Sequence, residues 1–250
     1  MNILALIPAR MNSSRFPGKP MTEILGKPMI GHVFDNVTKC NILSNVAVAT
    51  CDNVIYDYIN SIGGNAIMTG DHHERASDRC AEALKIIEKE KQIKFDIVIM
   101  VQGDEPMTNS EMIIESSKPL IDDKKNNILV TNLFSNIESE KEFNDPNCIK
   151  VVCDKYNNAI YFSREPIPTK SRNENNNLYK QVCVISFRRD FLLEYIKMEP
   201  TPLEIAESID MLRVIENGNN VKMVHTNHKS YSIDTYADRI KVEKFLTKKK

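Results

Sequence analysis

Three cations stand close together near the start of the chain: Arg10, Arg15 and Lys19, on the polar stretch Ala-Arg-Met-Asn-Ser-Ser-Arg-Phe-Pro-Gly-Lys-Pro. Their ammonium and guanidinium groups can face a polyphosphate, and backbone N–H groups of a turn around Ser13, Ser14 and Gly18 add donors. A solvated basic loop is the simpler reading of any Lys/Arg cluster. Two features favour an anion site: the cations directly follow an apolar run, and Pro17, Pro20 and Pro28 stiffen the segment that presents them. The loop is not a Walker A motif, because Lys19 is followed by Pro where that motif places Ser or Thr. Asp104, in Gln102-Gly103-Asp104-Glu105-Pro106, follows the apolar run Ile97 to Val101. A carboxylate there can hold Mg²⁺ on a nucleotide's phosphates, with Gly103 allowing close approach. Asp234, in Ser232-Ile233-Asp234-Thr235, is a second candidate. Turn formation by Asp104 and helix capping by Asp234 are the competing roles. A divalent ion between both aspartates and the phosphates would neutralise an attacked α-phosphate and bridge to a leaving pyrophosphate.

Such groups need elements to hold them. Asn2 to Ile7 is an apolar run of strand length, broken at Pro8. Apolar residues at 29/30, 33/34 and 37 predict a helix, and Val46 to Thr50 a second strand. Residues 55–59 read as a helix stopped by Gly63-Gly64, followed by a strand at 66–69, a helix at about 77–90 and a strand at 96–101. This alternation predicts βαβ units and a parallel sheet, whose ligands bind beyond the carboxyl ends of the strands. The pattern then changes. Strands are expected at 130–134, 149–153, 159–162 and 182–187, with a hairpin turn at 154–158 and an Asn-rich loop at 171–177. Helices are expected at 190–198 and 202–217, the latter closed by Gly218, then a strand at 221–225 and an amphipathic helix at 237–246 with a solvated Lys tail. With no internal repeat and no linker, residues 1–250 read as a single domain. Its nucleotide half covers about 1–105 plus C-terminal elements, and a more antiparallel part about 128–218.

Composition narrows the partners. With 33 basic and 34 acidic residues, the formal charge of −1 removes the electrostatic case for a dedicated nucleic-acid binder. No apolar run approaches bilayer length and no basic n-region precedes the first strand, so neither a membrane span nor a signal peptide is expected. The six cysteines form no C-x-x-C pair, which points to a reduced, cytoplasmic protein with small core cysteines. A nicotinamide dehydrogenase is disfavoured because no G-x-G-x-x-G follows the first strand.

Several stretches together resemble the 3-deoxy-manno-octulosonate (Kdo) cytidylyltransferases. They are Ile7-Pro8-Ala9-Arg10, Ser13 to Pro20, Gly26 to Ile30, Gln102 to Pro106, Tyr161-Phe162-Ser163-Arg164 with Ile167-Pro168, Leu212-Arg213-Val214 before Gly218, and Asp234-Thr235. They keep that family's order and spacing from residue 7 to about 240. The resemblance implies an α/β, Rossmann-like nucleotidyltransferase with a mixed, mainly parallel sheet and a smaller antiparallel acceptor and dimerisation subdomain. It implies attack of the sugar's anomeric hydroxyl on the α-phosphate of CTP, with Mg²⁺, by a homodimer serving lipopolysaccharide or capsule assembly. By motif match Lys19, Arg10 and Asp104 form the catalytic set, and Asp104 and Asp234 the metal ligands. Ala9, Arg10, Arg15, Lys19, Ser77, Arg79 and Gln102 would bind the nucleotide, and Gln102, Arg164, Gln181 and Asp210 would face the acceptor.

The departures cluster away from the phosphate machinery. The family's Ser-Gly-Thr reads Arg75-Ala76-Ser77, its His-Leu-Gly-Ile/Val-Tyr falls on Gln181 to Ile185, and its Glu-Gln on Asp210-Met211. Losing a hydrogen-bonding partner for a sugar hydroxyl weakens discrimination. Two rivals therefore stand beside Kdo activation: the same transfer to another acidic sugar or acid-like acceptor, and a non-catalytic nucleotide-binding homologue. His72-His73 beside Asp71 and Glu74 reads as a polar loop rather than a metal cluster, and Met211 as packing on a helix.

Overall fold

The computed structural model describes residues 1–12, 16–172, 177–233 and 235–247. Arg15 and Asp234 of the expected site lie outside these described residues, as do residues 173–176 of the Asn-rich loop and the Lys tail at 248–250. The chain divides into two compact units, Met1–Ile114 with Lys229–Lys250, and Glu115–His228.

In the first unit β1 (Ile3–Ala9) leads through a short 3₁₀ turn at Lys19–Met21 into the hairpin of β2 (Glu23–Ile24) and β3 (Lys27–Pro28). Helix α1 (Met29–Thr38), β4 (Asn45–Thr50), α2 (Asn53–Ser61), β5 (Ala66–Met68), α3 (Ala76–Lys91) and β6 (Ile97–Val101) follow. The strands lie in the order β6-β1-β4-β5, all parallel, with Leu6 paired to Ala47 on one side and Met100 on the other. Every residue of β1 and β6 is buried, as the unbroken apolar runs require of central parallel strands. Helix α1 buries Met29, Ile30, Val33, Phe34 and Val37 at helical spacing, each such side chain worth about 1.5–3 kcal/mol on burial. Gly63, at φ 76°, takes the left-handed conformation that ends α2.

Helix α4 (Ser110–Asp122) is a departure from the sequence expectation. Pro119 inside it and the Ser116-Ser117 pair mask its periodicity. Its start is set by Asn109, whose Oδ1 accepts the Met112 N–H at 2.9 Å.

The second unit carries β7 (Val130–Asn136), α5 (Glu140–Asn144), β8 (Lys150–Cys153), β9 (Ala159–Ser163), β10 (Tyr179–Arg188), α6 (Arg189–Tyr195), α7 (Pro202–Glu207), α8 (Met211–Glu216) and β11 (Val221–His225). Its antiparallel pairs are β7–β10, β10–β8 and β8–β9, while β11 runs parallel to β7. The β8–β9 turn forms where expected: Asp154 Oδ1 accepts the N–H groups of Tyr156 and Asn158, both at 2.8 Å. The helix expected over 202–217 is instead two. Ser208 at φ 53° ends α7, and the chain re-enters a helix at Met211. The break lets Arg213 grip Glu204 in a buried two-pronged ion pair, Nε to Oε2 and Nη2 to Oε1 both at 2.6 Å.

Helix α9 (Tyr236–Thr247) belongs to the first unit. It buries Val242 in a cluster with Ile24, Met29, Met107 and Ile233, against which Phe16, Tyr231, Phe245 and Leu246 pack. All six cysteines are free thiols. Burial pushes Cys148 and Cys153 up to about 11. Among the described residues no helix is long and apolar enough to cross a membrane.

Removing one member of the Glu204–Arg213 pair strands a buried charge. We expect Glu204→Ala to cost about 3–5 kcal/mol, read as a lowered urea midpoint, and Glu204→Leu with Arg213→Met to recover most of it.

Candidate functional site

A cleft of ≈ 300 Å³ opens at the carboxyl ends of β1 and β6, lined by Ala9, Arg10, Asn12, Lys19, Arg79, Gln102 and Asp104 among others. Its floor needs Gly103. A Cβ there would lie 2.9 Å from the Pro8 carbonyl oxygen, so only glycine lets the β6 turn approach the end of β1 this closely.

The loop after β1 is tied down by its backbone. Asp52, just past the end of β4, accepts the Met11 N–H through Oδ2 at 2.8 Å. The Gly18 N–H reaches the Met11 carbonyl at 3.1 Å, and Gly18 sits at φ 72°, turning the chain into Lys19. Lys19 is buried and its Nζ meets Asp104 Oδ2 at 2.7 Å. Side chains 85 positions apart thus form one charged pair at the cleft, with Asp104 the more open member. Arg10 is exposed, its Nη1 making a 3.5 Å contact with the His73 carbonyl.

The cleft's other wall is the start of α3, where Arg75 and Ala76 line it. A helix start offers unpaired N–H groups and partial positive charge to an anion. Arg79 is buried, with Nη1 on Thr69 Oγ1 at 2.6 Å and on the Gly70 carbonyl at 3.2 Å. Its Nη2 is buried without a hydrogen-bond partner among the described residues, a donor suited to an incoming acceptor atom. Ser77 is buried in the first turn of α3. One turn on, Glu82 Oε2 accepts the Gly70 N–H at 2.9 Å and pairs with the His73 ring. Burial alone would raise the Glu82 carboxyl, but the Gly70 and His73 contacts outweigh it and hold the group below its ordinary value.

The structure therefore brings Ala9, Arg10, Lys19, Arg79, Gln102 and Asp104 to one cleft. Arg164, Gln181 and Asp210 belong to the second unit and make contacts within it. Arg164 donates to three backbone carbonyls: Nε to Glu207 at 2.5 Å, Nη1 to Pro146 at 2.9 Å and Nη2 to Ser208 at 3.3 Å. Gln181 Nε2 donates to Asn132 Oδ1 at 2.6 Å, and the Asp210 carbonyl accepts from the Tyr195 hydroxyl at 3.0 Å. Among the described residues no three His, Cys, Asp or Glu side chains are grouped to hold a metal, and the described carboxylates that line the cleft are Glu74 and Asp104. Asp52 and Glu82 were not singled out in the sequence. Each carried a faint signal: Asp52 follows a strand's carboxyl end, and Glu82 lies one helical turn past Arg79.

Comparison with known proteins follows the same lines. The family model described as Cytidylyltransferase matches residues 4–229. A 3-deoxy-manno-octulosonate cytidylyltransferase of Geobacter metallireducens (strain ATCC 53774 / DSM 7210 / GS-15) is 41% identical, over 99% of this chain and 99% of that protein. One of the same name from Fusobacterium nucleatum subsp. nucleatum is 40% identical over 94% and 93% of the two chains. The solved structure of a CMP:2-keto-3-deoxy-manno-octonic acid synthetase complexed with CTP superposes with a TM-score of 0.88 at 33% identity, covering all of both chains. A 4-diphosphocytidyl-2C-methyl-D-erythritol synthase from Anaerococcus prevotii DSM 20548 shares the fold alone, with a TM-score of 0.66 at 16% identity.

Because the Glu82 carboxyl is held below its ordinary value of 4.5, its contribution to stability is present above that value and is lost as pH falls through the depressed one. We expect Glu82→Gln to lower the urea midpoint at about pH 6, and the gap from the unaltered chain to narrow as pH falls below the ordinary carboxyl value of 4.5.

Proposed function

This chain belongs to the cytidylyltransferase family, within the 3-deoxy-manno-octulosonate cytidylyltransferases, and on that premise we propose that it activates 3-deoxy-D-manno-octulosonate with CTP for lipopolysaccharide or capsule assembly. The anomeric hydroxyl oxygen attacks the α-phosphorus, the bond to the β-phosphate oxygen breaks, pyrophosphate leaves, and the hydroxyl proton passes to solvent or a nearby base. The observation that carries this reading is the Lys19–Asp104 pair at 2.7 Å, set in a cleft that also holds Arg10 and Arg79.

Each side chain has a task that its position supports. Lys19 and Arg10 bring positive charge to the triphosphate, stabilising the negative charge that grows on the leaving pyrophosphate. Arg15 joins them by motif match. The start of α3, where Ala76 lines the cleft, and the Nη2 of Arg79, without a partner among the described residues, offer donors to the rest of the nucleotide, and Ser77 joins them by motif match. The chemistry of Asp104 fits Mg²⁺, which takes one or two carboxylates and completes its shell with substrate phosphates and water. Asp104, with Asp234 by motif match, would hold the ion, which when bound supplies charge neutralisation at the phosphate oxygens. Gln102 lines the cleft, and by motif match Arg164, Gln181 and Asp210 would face the acceptor. The chain works as a homodimer, as its motif resemblance implies.

The test is a matrix of nucleotides (CTP, UTP, ATP) against 3-deoxy-D-manno-octulosonate and other 2-keto sugar acids, scored by pyrophosphate release. CTP with 3-deoxy-D-manno-octulosonate is expected to turn over, with both required. Turnover with another acid and none with this one would transfer the assignment to that acceptor. Asp104→Ala is expected to reduce release about 10²–10³-fold with the circular-dichroism spectrum unchanged. A mutant that keeps near-normal turnover removes Asp104 from the mechanism.

A further inference from the structure

Beside Asp104 stands a second carboxylate that the reaction above does not use. Glu105 is 4% exposed, and its Oε2 accepts the Ser230 hydroxyl at 2.6 Å. Three residues further along that segment, the Ile233 N–H donates to the Asp104 carbonyl at 3.0 Å. The turn that carries both carboxylates is closed on itself, since the Glu105 N–H reaches the Gln102 carbonyl at 3.2 Å and the Thr108 N–H the Glu105 carbonyl at 3.1 Å. Residues 230 and 233 are thus pinned to residues 105 and 104 at two points, from a segment more than a hundred positions away. Ile233 and Tyr231 fix the same segment from the apolar side, packing with Met29, Met107 and Val242.

Burying a carboxylate is costly, and an apolar side chain of similar size would pack such a site at less cost. What an apolar residue cannot do is orient a neighbour through a directed, charge-assisted hydrogen bond. We propose that Glu105 is a positioning residue for the transfer reaction. Through Ser230 it clamps the 230–233 segment onto the 102–105 turn, and so fixes the direction in which Asp104 presents its carboxylate to Lys19 and to the cleft. This rests on the cytidylyl-transfer reading, because the clamp matters to chemistry only if Asp104 serves the nucleotide.

The experiment compares Glu105→Ala, Glu105→Gln and Ser230→Ala with the unaltered chain in three measurements. These are the kcat and KM for CTP from pyrophosphate release, the Mg²⁺ concentration giving half-maximal rate, and the affinity for CTP without acceptor by calorimetry. Supporting side chains of this kind change affinity or activity about 10–100-fold when removed. Glu105→Ala is expected to lower kcat by about that factor with KM for CTP within about threefold, and to raise the half-saturating Mg²⁺ about tenfold. Ser230→Ala should move the same quantities in the same direction. Glu105→Gln keeps an oxygen acceptor for Ser230 and should restore kcat to within about threefold of the unaltered chain. Glu105→Ala or Ser230→Ala with kcat, half-saturating Mg²⁺ and CTP affinity all within about twofold of the unaltered chain overturns the proposal, whatever happens to the urea midpoint. Should Glu105→Ala fail to fold, Ser230→Ala decides alone, since it removes one hydroxyl from a partly exposed residue. An unaltered chain that releases no pyrophosphate with any pair in the matrix overturns the transfer reading itself. An active chain with indifferent variants overturns only the clamp.

Discussion

An ammonium and a carboxylate 2.7 Å apart, one from the loop after the first strand and one from the turn after the sixth, set the terms for everything around them. Lys19 is buried, so its charge is tolerable only beside a counter-charge, and at reduced dielectric the attraction exceeds that of a surface pair. The pairing demands that β1 and β6 be neighbours and parallel, which delivers both loops to one edge of the sheet. It demands that the second loop come very near the first, which is why a glycine stands at 103. It demands a reversal before the lysine, which Gly18 supplies in a conformation that other residues adopt at a cost.

Around that pair, carboxylates not assigned to chemistry hold backbone in place. Asp52 grips the Met11 amide, Glu82 grips the Gly70 amide and the His73 ring, and Glu105 grips Ser230. Each acts across a loop on which a cleft residue depends, and each comes from the end of a strand or the face of a helix, where position is well defined. Contacts of this kind restrain the cleft's described side chains, and restraint is the condition under which fixed charges act on a reaction without first being rearranged.

Much of this was legible in the sequence, and the failures have physical causes. The buried strands announced themselves because both faces of a central parallel strand must be apolar, and Ile3 to Ile7 and Ile97 to Val101 contain nothing else. The cation loop and Asp104 were legible because both stand at strand ends. Helix α4 was hidden by its internal Pro119, which sequence rules treat as a breaker although here Asn109 caps the start. The split of residues 202–217 into two helices was hidden because Ser208 bears no mark of its left-handed backbone, and the Glu204–Arg213 pair that the break permits is a tertiary contact. Arg164 read from its motif as a group facing the acceptor, and the three main-chain carbonyls to which its guanidinium donates are contacts that no motif announces. Side-chain type was visible in the string of letters, whereas direction was not.

The thiols carry a practical consequence. Cys148 and Cys153 are held near 11 by burial, so at neutral pH only about one in 10⁴ of either is ionised. Since the thiolate is the species that peroxide and alkylating reagents attack, both sites are chemically quiet. Fluorophore labelling at ordinary pH would therefore bypass them, leaving this β-hairpin region unmarked while a deliberately introduced surface cysteine took the dye.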